Sequence, residues 1–139
     1  MDFIVKSALE QDLSSKENLD FGQANIKVIG SGGAGNNMIS WLFKKGIRGA
    51  EVLACNTEKQ HLDVTEADKK FMIGRDLTRG LGCGGFPQRG AEAAQESMMQ
   101  IKESLRGADM VFVCAGMGGG TGTGSAPVVA SVAKEMGAI

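Results

Sequence analysis

A run of glycine and threonine, Gly116–Ser125, constrains the fold of this chain more than any other feature. It follows an apolar segment typical of a buried strand, Met110–Cys114, and leads into a segment with helical apolar spacing. Glycines let the backbone approach a ligand closely because no Cβ stands in the way. The start of a helix adds free N–H groups and the positive end of the helix dipole. The run therefore predicts an anion cradle, and a nucleotide phosphate is the anion most often held in this way.

The order of the elements along the chain is typical of an α/β domain, Rossmann-like, with a mainly parallel sheet and flanking helices. Short apolar segments predict four strands: Ile26–Ile29, Val52–Cys55, Phe71–Ile73 and Met110–Cys114. Apolar spacing predicts helices from Asn36 to about Lys45, from Ala91 to Leu105, and a last helix with Pro127 in its first turn. A short helical turn is expected over residues 58–62. The glycine-rich segments 30–35 and 77–90 are expected to be loops.

Two parts of unequal length are predicted. Residues 1–24 are expected to be a flexible leader with a short amphipathic helix, whose apolar positions are Phe3, Ile4, Val5, Ala8, Leu9 and Leu13. Residues 25–139 are expected to form one unit. The last helix is followed only by residues 138–139, where the next strand of such a fold would begin. We therefore expect the front portion of a larger, incomplete nucleotide-binding domain.

The composition disfavours several classes of function. The net charge is −1, so nothing argues for a nucleic-acid or acidic-membrane partner. No apolar run approaches the roughly 20 residues of a membrane span, and no signal-peptide pattern opens the chain. The three cysteines are odd in number and lack metal-ligand spacing, and two of them, Cys55 and Cys114, end apolar strands. Buried free thiols, a cytoplasmic location and no protein-borne metal site are expected.

A second glycine-rich segment, Gly30–Gly35, matches the dinucleotide pattern G-x-G-x-x-G between the first strand and the first helix. A dinucleotide-binding oxidoreductase also needs an acidic residue at the end of the second strand, to hold a ribose. Here that strand is followed by Asn56 and Thr57, and the first acid is Glu58. Such an enzyme also has no use for a second, richer phosphate loop, so this alternative is a minor one. No G-x-x-x-x-G-K-[ST] motif is present.

In a parallel sheet, the loops at the carboxyl ends of the strands share one edge. The loops that follow the four predicted strands would therefore meet around one ligand, and their glycine content suggests a nucleoside di- or triphosphate. No lysine lies inside the cradle. Charge neutralisation must then come from backbone N–H groups, helix ends and Mg²⁺ held mainly through the phosphates and water.

The segment Gly118–Ser125 resembles the signature of the tubulin/FtsZ superfamily, and residues 25–139 are similar to FtsZ. The stretches that carry this likeness are Ile26–Asn37, Cys55–Thr57, Arg79–Gly85 and Ala108–Val113. The residues of Ala67–Lys70 and Leu77–Gly80 most resemble the archaeal branch of that family.

The resemblance implies a GTPase that binds GTP or GDP, assembles head to tail into a homopolymer and acts in the cytoplasm at the division site. The residues that it places at the nucleotide are Gly32, Gly33, Ala34, Gly35, Asn36, Asn37, Asn56, Gly84, Gly85, Gly118, Gly119, Gly120, Thr121, Gly122 and Thr123. Catalysis in that family needs acidic residues of a later loop from the neighbouring subunit, so no catalytic residue is assigned in this chain. An alternative is a non-catalytic module that caps or co-assembles with a full-length relative.

Two positions depart from the family pattern. Glu58 stands where the family usually has aspartate, and Phe86 stands where it usually has asparagine before Pro87. Either change could reshape the loop near the terminal phosphate. His61, the only histidine, is expected to be a surface residue.

Overall fold

A four-stranded sheet forms the centre of the structure, a computed structural model that describes residues 2–7 and 22–139. The strands are β1 (Ile26–Ser31), β2 (Ala50–Asn56), β3 (Lys69–Met72) and β4 (Met110–Ala115). They lie in the order β3-β2-β1-β4, and every pairing is parallel. The prediction of an α/β domain with a mainly parallel sheet is confirmed.

Helices cover both faces of this sheet. They are α2 (Gly32–Lys45), α3 (Lys59–Val64), α4 (Arg75–Thr78), α5 (Pro87–Glu96), α6 (Met98–Leu105) and α7 (Thr121–Glu135), and a further helix, α1 (residues 2–7), precedes them in the chain. Helix α1 is part of the predicted amphipathic helix, and its described side chains are exposed. The predicted apolar positions Ala8, Leu9 and Leu13 and the flexible part of the leader lie outside the described residues.

The alternation of side chains along β1 and β2 divides the core into two clusters. Ile29 and Leu53 point to the face that α5, α6 and α7 cover, where Val129 is also fully buried. Val28 and Val52 point to the opposite face, which α2 and α3 cover. Each buried aliphatic side chain contributes roughly 1.5–3 kcal/mol, so a strand that is apolar on both sides is stable only between two layers of helix.

The first glycine segment is not the loop that the sequence predicts. Strand β1 continues to Ser31, and α2 begins at the next residue rather than at Asn36. Gly32 makes this sharp change of direction with a φ of +75°, which a residue with a Cβ rarely adopts. Gly35 then packs directly on the backbone of β1 and β4, where a Cβ would meet the carbonyl oxygen of Cys114 at 2.5 Å.

The predicted helix from Ala91 to Leu105 is two helices, because the chain leaves helical geometry at Ser97 (φ −101°, ψ 22°). The Ser97 hydroxyl accepts a hydrogen bond from the N–H of Gly74 (2.9 Å), which ties the break to the end of β3. Helix α5 also begins earlier, at Pro87, a residue that suits the first turn of a helix. The prediction of a loop over residues 77–90 was therefore wrong at both ends, since α4 ends at Thr78.

The last helix was also predicted to begin too late. Helix α7 begins at Thr121, so that Pro127 lies in its interior instead of its first turn. Proline has no N–H, and the carbonyl of Thr123 therefore lacks its usual partner four residues on. The second half of the glycine-threonine run thus forms the first turn of a helix and is not a free loop.

Candidate functional site

A cavity of about 490 Å³ lies at the carboxyl edge of the sheet, where the segments that follow all four strands meet. Its wall consists of residues from these four segments: Ser31, Gly32, Gly33 and Ala34; Asn56 and Glu58; Leu81, Gly82, Cys83, Gly84 and Gly85; and Gly116, Met117, Gly119, Gly120, Thr121 and Gly122. The convergence expected from the parallel sheet is therefore present.

Most of the predicted site residues lie on this wall: Gly32, Gly33, Ala34, Asn56, Gly84, Gly85, Gly119, Gly120, Thr121 and Gly122. The others do not, and they are Gly35, Asn36, Asn37, Gly118 and Thr123. Gly35 lies beneath the wall, packed on β1 and β4. Gly118 and Thr123 bond to each other instead, with the Gly118 N–H donating to the Thr123 hydroxyl (3.0 Å), which shapes the turn before α7.

Asn36 is fully buried and supports the site from behind. Its Nδ2 donates to the carbonyl oxygens of Cys55 (2.9 Å) and Gly30 (3.2 Å), and so fastens α2 to the ends of β1 and β2. Its Oδ1 accepts a hydrogen bond from Asn56 Nδ2 (3.1 Å). Asn56 Oδ1 in turn accepts the N–H of Glu58 (3.1 Å). Asn36 therefore orients Asn56, which lies on the wall.

Asn37 is exposed, and its side chain contacts α3. The distance from Asn37 Oδ1 to His61 Nε2 is 2.9 Å. The half-buried His61 ring also lies against Gly33, where a Cβ would come within 3.3 Å of the ring. The histidine thus packs against the first glycine segment, a contact that the expectation of a surface residue missed. It could have been found from the order of the elements, since a helix after β2 lies beside the segment after β1.

Two helices begin at the cavity wall, α2 at Gly32 and α7 at Thr121. Neither has an acidic residue in its first turn, and no side chain caps the first N–H groups of either helix. These N–H groups and the positive ends of two helix dipoles therefore favour an anion between them.

Formal charge on the wall is sparse: Glu58 is the one ionisable carboxylate there, and no lysine or arginine lines the cavity. Within residues 2–7 and 22–139, no cluster of histidine, cysteine, aspartate or glutamate could hold a metal ion. Oxygen atoms of Glu58 and Thr121 are present on the wall, and oxygen is the ligand that Mg²⁺ prefers. The wall thus fits a Mg²⁺ that keeps most of its ligands as phosphate and water.

The cysteines near the site are free, and two have perturbed acidities. Burial raises the pKa of Cys55 to about 11, an effect that a hydrogen bond from Ser31 partly offsets. Burial also raises the pKa of the Cys114 thiol. Both thiols are therefore neutral at physiological pH, and neither is a candidate nucleophile at the site.

Several wall residues lie outside the predicted set of site residues, among them Ser31, Leu81 and Cys83, and also Glu58, which was noted only as a departure from the family pattern. They lie at strand ends or in the segment after β3, next to glycines that were singled out. Glu58 and Leu81 also pair through their backbones in an isolated antiparallel bridge, which brings the segments after β2 and β3 together. Phe86 is exposed beside Gly84.

Comparison with known proteins gives one family. The model of the tubulin/FtsZ family GTPase domain matches residues 25–139. The chain is 59% identical over 137 residues to "Cell division protein FtsZ 2" of Methanocaldococcus jannaschii, a match that covers 98% of this chain and 36% of the relative. It is 52% identical to the protein of the same name from Haloferax volcanii, with 100% and 37% covered.

Solved structures agree with these matches. An empty FtsZ dimer from M. jannaschii superimposes with a TM-score of 0.87 at 54% identity, over 92% of this chain and 37% of that chain. A more distant match, a GTPγS-bound protofilament of CetZ2 from Haloferax volcanii, has a TM-score of 0.68 at 32% identity, with 76% and 34% covered. The chain thus spans just over a third of the length of the relatives it matches. None of the described helices is long and apolar enough to cross a membrane.

Proposed function

The chain belongs to the tubulin/FtsZ family of GTPase domains, and from that premise we propose that its cavity binds the phosphates of GTP or GDP. The observation that carries this proposal is the meeting of two uncapped helix starts, α2 and α7, at one cavity. Because the wall has no basic side chain, N–H groups and helix dipoles provide the attraction for the anion.

The resemblance to the family supports the following roles for the residues of the wall. The backbone of Gly119–Gly122 wraps the phosphates, Gly84 and Gly85 approach the terminal phosphate, and Asn56 lies on the nucleoside side. Gly32, Gly33 and Ala34 supply the start of α2. Gly35, Asn36 and Asn37 hold this start in place from behind, whereas Gly118 and Thr123 shape the turn that leads into α7. Mg²⁺, where present, neutralises phosphate charge and is held mainly through phosphate and water.

We further propose that the protein acts in head-to-tail assembly of a cytoplasmic cell-division polymer at the division site. The relatives that it resembles carry the name of cell division proteins, and one solved relative is a dimer. Three exposed apolar side chains, Leu81, Phe86 and Met117, stand at or beside the cavity. Hydrolysis would then depend on acidic residues that a neighbouring subunit brings to the phosphates, as the resemblance to the family implies.

Competition binding tests the nucleotide assignment. A fluorescent GDP analogue is bound to the chain and displaced with GTP, GDP or ATP, each with and without Mg²⁺. We expect the guanine nucleotides to displace the analogue at lower concentrations than ATP. Equal displacement by ATP would contradict the assignment of GTP as the ligand.

A second candidate function rests on the same three apolar side chains. In it the chain caps or co-assembles with a full-length relative through the cavity face, without hydrolysing nucleotide. Sedimentation of the full-length polymer with and without this chain tests the idea. A shorter or smaller polymer is expected, and unchanged polymer mass and length would exclude it.

A further inference from the structure

Thr57, the residue after β2, connects the cavity wall to its surroundings without being part of the wall. It is fully buried, and its Oγ1 lies 2.7 Å from Oγ1 of Thr121. Thr121 is half-buried, begins α7 and lines the cavity. A buried hydroxyl is thus paired with the hydroxyl of a residue that lines the cavity.

The remaining bonds of Thr57 go to the segment that follows β3. The Cys83 thiol donates to Thr57 Oγ1 at 3.6 Å, and Cys83 lines the cavity. The carbonyl oxygen of Thr57 accepts the Gly82 N–H (3.3 Å) and the Thr78 hydroxyl (3.2 Å). One buried residue therefore joins the end of β2, the start of α7 and the segment from Thr78 to Cys83.

The number of hydrogens on these hydroxyl and thiol groups bears on which side chain donates in the bond between Thr57 and Thr121. A threonine hydroxyl has one hydrogen to donate and can accept from others. The distance alone leaves the donor open in the pair of Thr57 and Thr121 hydroxyls. Because the Cys83 thiol donates to Thr57, and oxygen is a better acceptor than sulfur, we assign the Thr57 hydrogen to Thr121. Thr121 accepts there, and its own hydrogen is left for the cavity.

We propose that Thr57 is a positioning residue that turns the Thr121 hydroxyl into a hydrogen-bond donor to a phosphate oxygen of the bound nucleotide. Because Cys83 supplies the first hydrogen, the same chain of bonds makes phosphate binding sensitive to the placement of the segment after β3. This inference rests on the proposed function only in requiring a polyphosphate in the cavity, and not in requiring guanine.

The test compares Thr57→Val with Thr57→Ser and uses two probes, GTP and inorganic tripolyphosphate. We expect Thr57→Val to weaken the binding of both probes by about five- to tenfold. This is less than the loss from deleting a hydrogen bond to a charged group, because the Thr121 hydroxyl remains but is no longer oriented. Thr57→Ser, which keeps the hydroxyl, should stay within about twofold of the wild type. Should Thr57→Val not fold, Thr57→Ala removes the same hydroxyl.

Ser97→Ala is the control, because it removes a buried hydroxyl that bonds to Gly74 instead of to Thr57. It should lower thermal stability and leave the affinity for tripolyphosphate unchanged. A double variant, Thr57→Val with Thr121→Val, should bind no more weakly than Thr121→Val alone. Thr57 acts only through the Thr121 hydroxyl, so its substitution has no further effect once that hydroxyl is absent.

The outcomes separate the two proposals. If Thr57→Val binds tripolyphosphate as the wild type does, or if the two single losses add in the double variant, the role of Thr57 is overturned. If ATP binds as tightly as GTP but the Thr57 pattern holds, only the guanine assignment fails. A wild-type chain that binds neither probe overturns both proposals.

Discussion

Two pairs of glycines in the site, Gly30 with Gly35 and Gly118 with Gly119, use glycine for opposite reasons. In the first, Gly30 and Gly35 are in contact with each other's backbone, and neither position has room for a Cβ. In the second, Gly118 and Gly119 have no atom within 4 Å of the position a Cβ would take. The first pair needs glycine so that a helix can pack on a strand, whereas the second pair leaves open space. At the two ends of the segment Gly116–Gly120 glycine is again required, since a Cβ would meet Ala34 at 2.6 Å from Gly116 and Cys83 at 2.9 Å from Gly120. Similar sequence patterns therefore predict different penalties.

The largest effect is expected from Gly35→Ala, because the added Cβ would meet the Cys114 carbonyl, which belongs to a central layer of the structure. We expect the free energy of unfolding to fall by about 3–4 kcal/mol, as for severe overpacking of a core. Urea denaturation measures the change. A loss below about 1 kcal/mol would mean that α2 can move away from β4.

The next largest effect concerns the buried support of the first segment. Asn36→Ala removes the donors to the Cys55 and Gly30 carbonyls and the acceptor for Asn56. Leaving these buried groups unpaired should cost about 3 kcal/mol in the free energy of unfolding. Asn37→Ala, one residue on and exposed, is the control and should cost less than about 0.5 kcal/mol. If Asn36→Ala and Asn37→Ala lowered the free energy of unfolding equally, the hydrogen bonds of Asn36 would not be what holds α2 to the strand ends.

Alkaline pH should lower the stability of the protein through the buried Cys55 thiol, which lies behind the cavity. The pKa of the Cys55 thiol is about 11 in the folded protein and 9.0 for an exposed cysteine, as in the unfolded chain. As the pH rises, the unfolded chain therefore loses this proton before the folded protein does. Stability is therefore retained below pH 9 and falls as the pH rises from 9 to 11, by roughly 2 kcal/mol. Denaturation of the wild type and of Cys55→Ala at both pH values isolates this contribution. Parallel losses in the two proteins would contradict the assignment to Cys55.

The smallest effect on stability is expected from Gly119→Ala, since the new methyl group enters open space. The free energy of unfolding should change by less than about 0.5 kcal/mol. The affinity for GDP should nevertheless fall, because the methyl group projects from the cavity wall. Gly22→Ala, which also meets no atom within 4 Å and lies before β1, is the matched control for both measurements. Unchanged GDP affinity in Gly119→Ala would mean that the open space at Gly119 is not used by the ligand.

The sequence predicted the strands and the edge at which the site forms, because apolar runs and parallel topology are local and general signals. The break at Ser97 was not predictable from spacing, since Ala94, Met98 and Ile101 keep one helical period across it. The helical start at Thr121 was missed because glycines disfavour helix, and here packing and the chain direction override that preference.

Two side chains show where the prediction of the site itself stops. Asn36 follows the glycine pattern and was predicted at the nucleotide, but it is buried among the ends of β1 and β2. Thr57 carries no motif, and only the three-dimensional placement of Thr121 and Cys83 reveals its bonds. Residue type and spacing identify which segments form a wall, whereas the direction of each side chain depends on the register of the strands beneath it.

The strand order has a consequence for how the protein folds. β1 lies between β2 and β4, and the bond from the Asn25 N–H to the Asp109 carboxylate beside it joins residues 84 positions apart. Closing so long a stretch of chain is slow, and one edge of β1 stays unpaired until β4 has been made. The cavity needs the segments after both strands, so it exists only once this late step is complete. A ligand of the cavity therefore stabilises only those chains in which β1 is already paired with both β2 and β4, and it does not act on earlier folding intermediates.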